Sequence, residues 1–226
     1  MRRLAPLLLL ILLLPACGRQ TDSGYFPLEK GGAWEYTITY KVRGEMRTQK
    51  LIYRNGGTVK AQDQRYYVRI NLNGKREYYR KTKDDIYRVD PISGKHHTVL
   101  VLPPDKGQEW HSDSKIRVLD ITGVYTPTFR ARIVNPVDLT YRIEATDDEV
   151  TVPAGTFSNC LRIRATGSLF PGQTLQENLG MQSINVDETE WYAPGVGLVK
   201  VVRREFTKPN KFSNTYTQVL DSYASK

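Results

Sequence analysis

The chain has 226 residues, with 33 Lys and Arg against 24 Asp and Glu, a formal charge of +9, and 39% hydrophobic residues. That length accommodates one large all-β domain or two small ones. The basic excess comes without a basic block, zinc-ligand spacing or recognition-helix pattern, so nucleic acid is not an expected partner; solubility and attraction to an anionic surface are the plain reading.

Met1-Arg2-Arg3 is a basic start, Leu4–Leu14 an apolar run of 11 residues, and Ala16 a small residue before Cys17. This is the plan of a secretory signal, and the run is too short to span a bilayer. Leu14-Pro15-Ala16-Cys17 resembles the lipobox of bacterial lipoproteins. The resemblance implies cleavage before Cys17, with a diacylglyceryl group on its sulfur and an N-acyl chain on its new amino terminus. It implies no other cofactor. Two or three acyl chains would hold essentially permanently, since burial is worth about 0.8 kcal/mol per CH₂. Cys160, the second cysteine of the chain, would then have no partner for an intramolecular disulfide. Loss of residues 1–16 removes Arg2 and Arg3, leaving a mature charge of 31 − 24 = +7.

Residues 17–24 read as a lipidated tether, and 25–226 as one antiparallel β domain, with 25–101 and 102–226 as candidate halves. Seven residues, Gly18–Gly24, reach at most roughly 23–25 Å, so the domain is expected close to the membrane. Trp34, Tyr36, Ile38, Tyr40 and Val42 alternate with polar residues, the period of a half-buried strand. Met46–Tyr53 reads as its hairpin partner. Asn55-Gly56 and Asn73-Gly74 read as hairpin turns, around a strand carrying Tyr66, Val68, Ile70 and Leu72.

Further strands are expected at 75–82, 85–89, 97–102, 115–121 and 129–134. Val137, Leu139, Tyr141 and Ile143 alternate as cleanly as the first strand. Later strands are expected at 149–152, 160–169, 189–193, 198–206 and 214–223. Asp147-Asp148-Glu149 reads as an acidic turn rather than a calcium loop. Pro171–Asp187 reads as a long loop, either a functional rim or a disordered stretch. Short, closely spaced strands without sustained helical periodicity predict an all-β, mainly antiparallel fold. The expected form is a curved sheet making an open or half β-barrel, with little helix.

Residues 26–34 and 102–110 share proline, acid, lysine, glycine and tryptophan at identical spacing, 76 residues apart. Either two related halves or one good turn used twice accounts for this. In both, a proline-fixed turn delivers a tryptophan, Trp34 or Trp110, to a strand start.

Three stretches are distinctive: Tyr25-Phe26-Pro27-Leu28-x-x-Gly-x-x-Trp34, Val150–Ile163 with its Pro153-Ala154-Gly155-Thr156-Phe157 core, and Glu190–Lys200 with Trp191-Tyr192-Ala193-Pro194-Gly195-Val196-Gly197. Together they resemble a broad group of exported bacterial proteins and lipoproteins of unknown function. That resemblance implies a curved antiparallel sheet similar, at fold level, to half-barrels of the LolA type. Read from the residues, Pro153, Gly155, Phe157, Pro194, Gly195 and Gly197 build bends and return anchors to the core, which makes these motifs architecture first.

No nucleophile elbow, P-loop, dinucleotide fingerprint or metalloprotease motif occurs, and no catalytic or metal site is assigned. His96 and His97 point to opposite faces of a strand and cannot chelate one metal. His111 and Asp113 share a face without an evident third ligand. Cys160 reads as a small packing residue. The candidate ligand-binding residues are Tyr66, Tyr67, Tyr78 and Tyr79, whose outward rings beside arginines suit sugars or lipid headgroups. The expectation is a non-enzymatic, membrane-anchored envelope lipoprotein that binds a lipid or other amphipathic component; the alternative is an assembly scaffold for envelope proteins. Gly18 after Cys17, where aspartate would resemble an inner-membrane retention signal, favours the outer membrane, facing the periplasm.

Overall fold

The computed structural model describes residues 24–42, 44–61, 63–117, 136–170, 183–208 and 213–224. The signal segment, Cys17, most of the tether, the expected strand at 129–134 and the 171–182 part of the expected loop lie outside them.

Twelve strands make one antiparallel sheet: β1 (Ala33–Val42), β2 (Glu45–Ala61), β3 (Gln64–Asn71), β4 (Arg76–Lys81), β5 (Asp85–Val89), β6 (His96–Val101), β7 (Glu109–Ser114), β8 (Val137–Val152), β9 (Gly155–Leu169), β10 (Ser183–Ala193), β11 (Gly197–Lys208) and β12 (Ser213–Ala224). Their order is β6-β5-β4-β3-β2-β1-β12-β11-β10-β9-β8-β7. Two six-strand meanders therefore meet where β1 pairs with β12, and Trp34 and Trp110 lie in the first strand of each. The sheet is all-β, antiparallel and curved, as the alternation predicts, and curls beyond a half-barrel into a nearly closed one; no helix occurs among the described residues. Its free edges, β6 and β7, approach each other without a ladder; Lys95, just before β6, pairs with Asp113 of β7.

The barrel's lower half is filled. Ile86, Leu100, Ile143, Leu161 and Ile163 are essentially inaccessible and pack around Phe26, Leu28, Tyr79, Trp110 and Tyr192. A second cluster joins Trp34, Tyr36, Val199 and Leu220 to Val150, Val152 and Cys160 of the long β8–β9 hairpin.

The three distinctive stretches converge on this end. Trp34 donates its indole N–H to the Val196 carbonyl at 2.7 Å, Gly195 N–H donates to the Gly24 carbonyl, and the Tyr25 hydroxyl donates to the Asn159 carbonyl. Ala154 N–H reaches the Leu220 carbonyl. Gly197, at φ 96°, faces Pro27 so closely that a Cβ would lie 3.1 Å from its Cδ. That combination of positive φ and close approach suits glycine.

Several expected boundaries are corrected. Asn55-Gly56 is not a turn: β2 continues to Ala61 through a bulge at Asn55/Gly57. The Asn55 side chain is diverted inward, donating to the carbonyls of Pro27 and Glu29. Asp147-Asp148-Glu149 is not a turn either, but three residues of β8, which is bulged rather than broken. Asp148 is held there by Arg162 and by the Trp191 indole N–H at 2.8 Å. The expected loop ends early, because β10 starts at Ser183, in register with Lys208. Of the strand expected at 115–121, residues 118–121 lie outside the described residues; residues 115–117 are not strand and follow β7, Glu109–Ser114. Its β8 ladder ends at Ser114–Val137, and the backbone beyond is held by side chains: Arg203 on the Lys115 carbonyl and Glu205 on the Arg117 N–H.

Candidate functional site at the upper end of the barrel

Strand register sets the interior in rows. One row runs Trp110–Tyr141–Ala165–Glu188–Arg203–Tyr216–Tyr40–Arg47 across β7 to β2. The row below includes Ile143, Ile163, Glu190, Val201, Gln218 and Ile38. The barrel thus changes from apolar to charged and aromatic within about two rows.

Arg203 is fully buried and organises this layer. Its Nε donates to Glu205 at 2.7 Å, Nη1 to Glu188 at 3.1 Å and to Ser114 at 3.0 Å, and Nη2 to the Lys115 carbonyl at 2.8 Å. A buried guanidinium needs such saturation, since desolvation exceeds any single ion pair. Arg117 lies 3.8 Å from the same Glu188 carboxylate, yet its side chain is 43% exposed, and its guanidinium faces the Tyr216 ring at 5.7 Å. Among the described residues Glu188 Oε1 has no hydrogen-bond partner, and neither does Trp110 Nε1, whose ring stacks on Tyr141 at 5.4 Å.

Glu190 lies two residues from Glu188 on the same face. Burial first, and the Glu188 charge second, push its carboxyl up to about 7; the Tyr192 hydroxyl donates to it at 2.8 Å. Burial also keeps Tyr141 and Tyr216 protonated and pushes Tyr53 up to about 12. Glu190, Tyr53, Tyr141 and Tyr216 retain part of their accessible surface although the sheet encloses them. Together with Arg117 they make a polar, aromatic group of side chains on the inner face of the sheet, with one titrating carboxyl. Among the described residues no cluster of metal-ligating side chains occurs.

The four candidate tyrosines do not form one site. Tyr67 and Tyr79 face inward, Tyr79 against Phe26 at 5.3 Å. Tyr66 and Tyr78 face outward, Tyr66 donating to Gln64. Arg69 turns inward between the Phe26, Trp34 and Tyr79 rings. Trp191 carries Lys200 over its ring at 5.1 Å, and Phe157 packs beside Tyr223 at 5.9 Å. Pro153 and Gly155 flank the β8–β9 turn, and Pro194 and Gly195 the β10–β11 turn. His96 stacks on Tyr87 outside, whereas His97 pairs with Arg88 on the inner face; His111 lies 3.3 Å from Asp138.

Sequence reasoning missed the Glu188–Glu190–Arg203–Glu205 layer, although its signal is present. Glu188, Glu190, Arg203 and Glu205 sit at alternate positions of paired strands, where the pattern reads as a solvated face.

No family model matches the chain, and no curated protein matches it. Among solved structures, a protein described as exported, with a YmcC-like fold, from Bacteroides fragilis is 14% identical with a TM-score of 0.50, over 89% of this chain and 99% of that one. A protein described as a lipoprotein from Parabacteroides distasonis is 16% identical with a TM-score of 0.44, over 89% and 98%. A LolA superfamily protein from Nitrosomonas europaea is 11% identical with a TM-score of 0.25, over 92% and 90%. The first likeness is one of fold, and fold does not carry function.

Proposed function

We propose that the chain is a bacterial envelope lipoprotein, anchored through acylated Cys17 to the outer membrane on its periplasmic side, and that its barrel is a non-catalytic binding module. The ligand is an amphipathic envelope component whose polar end meets the inner-face group of Glu190, Arg117, Tyr53, Tyr141 and Tyr216. One observation carries this reading: these side chains are enclosed by the sheet yet keep accessible surface, above a core that is closed. A long apolar ligand running the length of the barrel does not fit, because Phe26, Ile86, Leu100, Ile143 and Ile163 occupy the lower half.

The test is native mass spectrometry of the chain purified from its own envelope in mild detergent. The expected result is a non-covalent adduct, lost on denaturation and reduced in Glu190→Gln with Tyr216→Phe. A clean mass for the parent protein would turn the assignment to the assembly scaffold, which the filled lower core favours.

A further inference from the structure

The positive charge of the chain is not evenly spread. Residues 33–101, which carry β1–β6, hold 15 Lys and Arg against 7 Asp and Glu, a net of +8; residues 102–226 hold 14 against 15, a net of −1. Strand register gives β2–β6 an inner face bearing Arg69, Glu77, Tyr79, Ile86 and Leu100. The outer face bears Arg54, Ile70, Arg76, Tyr78, Tyr66 and Arg80.

Glu77 faces inward with Arg88. The other acids between residues 45 and 101, Glu45, Asp63, Asp84, Asp85 and Asp90, sit at strand ends or turns. Arg54 and Arg76 are exposed and form no ion pair among the described residues. Arg80 spans Tyr66 and Tyr87 at 6.0 and 5.7 Å, and Val59 and Leu72 are 41% and 64% exposed. The surface mixes tyrosine rings, aliphatic side chains and unneutralised arginine, the composition of a protein face at a lipid headgroup layer.

Position adds a second argument. Ala33, the first residue of β1, pairs with Arg54, while β2 continues to Ala61. The β2–β3 hairpin therefore projects past β1 at the end where Gly24 meets Gly195. With Cys17 acylated, residues 18–24 allow at most roughly 23–25 Å between the lipid surface and this end.

We infer that the outer face of β2–β6, centred on Arg54, Tyr66, Arg76 and Arg80, docks on an anionic lipid surface and lays the barrel against the membrane that anchors it. The inference rests on the lipoprotein reading but not on the barrel's ligand. Tethering keeps the face at high effective concentration beside its partner, and arginine supplies the attraction, which salt weakens.

The test uses the full chain, processed in its host and reconstituted into vesicles of phosphatidylcholine alone or with phosphatidylglycerol, followed by hydrogen exchange. Peptides covering 54–80 should exchange more slowly on the anionic vesicles, and high salt should remove the difference. Arg54→Gln with Arg76→Gln should lower the docked-to-undocked ratio about 25-fold, about five-fold per cation. Arg142→Gln with Arg204→Gln, on the other half, should leave it unchanged, and exchange of β9–β11 in detergent verifies folding. Equal exchange of 54–80 on both vesicles, with the protein floating on both, overturns the inference. A chain that fails to float on phosphatidylcholine lacks the anchor, and the lipoprotein reading falls. Flotation on anionic vesicles alone then supports the face, and flotation on neither overturns it.

Discussion

The guanidinium carbon of Arg69 lies 4.6 Å from the centre of the Trp34 ring, and equally close to that of Phe26, so one cation clamps the N-terminal segment to β1. It also donates to the Pro27 carbonyl at 3.0 Å and to Asn55 Oδ1 at 3.1 Å. Phe26 and Leu28 reach the barrel core only because this clamp and the Asn55 amide fix the backbone between them.

Replacing Arg69 tests the clamp. Charged hydrogen bonds are worth ~1.5–3 kcal/mol and desolvated cation–π contacts up to ~2 kcal/mol, so Arg69→Ala should cost about 3 kcal/mol in urea unfolding. Arg69→Lys should restore only part of this, because an ammonium cannot stack between rings and donate in two directions. Proteolysis near residues 25–32 should accelerate in both.

Arg203→Met removes the shared partner of Glu188 and Glu205, whose side chains are both fully buried. Breaking a buried network from one side typically costs ~3–5 kcal/mol. Urea unfolding of the variant beside the parent protein measures the loss.

What was legible in the sequence follows from which residues obey one rule alone. Trp34 to Val42 and Val137 to Ile143 alternate because each strand buries one face, and the structure places them as β1 and β8. Asn55-Gly56 carries a strong turn signal, yet the Asn55 side chain serves the distant Pro27 and Glu29 carbonyls, a contact no local pattern announces. Asp148 likewise looks like turn chemistry until Trp191 and Arg162 arrive from strands distant in sequence. The inner-face polar group was invisible for a related reason. Glu188 and Arg203 are hydrophilic by type, and only the register of β10 with β11 brings them together inside a nearly closed barrel.

Glu190 should leave a signature of its own. Its carboxyl titrates at about 7 against an ordinary value of 4.5. The folded state therefore holds a proton that the unfolded chain has released, so its contribution is present below pH 4.5 and is lost as pH rises through 7. The expected loss between pH 5 and 8 is on the order of 2 kcal/mol. Glu190→Gln should flatten the profile in that window, and an identical slope in the variant would exclude Glu190 as its source.

Gly167→Ala probes the close packing of β8 on β9. A Cβ there would come within 2.3 Å of the Asp138 carbonyl oxygen and 2.7 Å of Leu139 Cδ2. The first neighbour is backbone and cannot rotate away, so the ladder must spread. Overpacking of this kind costs ~1–3 kcal/mol. Ser168→Ala, on the opposite face, should change stability by less than about 0.5 kcal/mol, and thermal unfolding of the pair separates a steric effect from a general sensitivity of the strand.

Cys160 offers a probe of the fold and the anchor together. Its side chain is inaccessible in the cluster of Trp34, Val152 and Leu220, and burial, reinforced by the Asp148 and Glu149 charges, pushes the thiol up to about 11. At pH 8 only about one thiol in a thousand is then ionised, so a disulfide reagent should react with the native protein only through opening of β8–β9. Urea should convert this slow phase to a fast one, and Val152→Ala should accelerate it under native conditions by loosening the packing around the thiol. The stoichiometry carries separate information. With Cys17 acylated at sulfur, the unfolded chain should yield one reactive thiol; two would mean that Cys17 is unmodified and that the barrel is not held to a membrane through it.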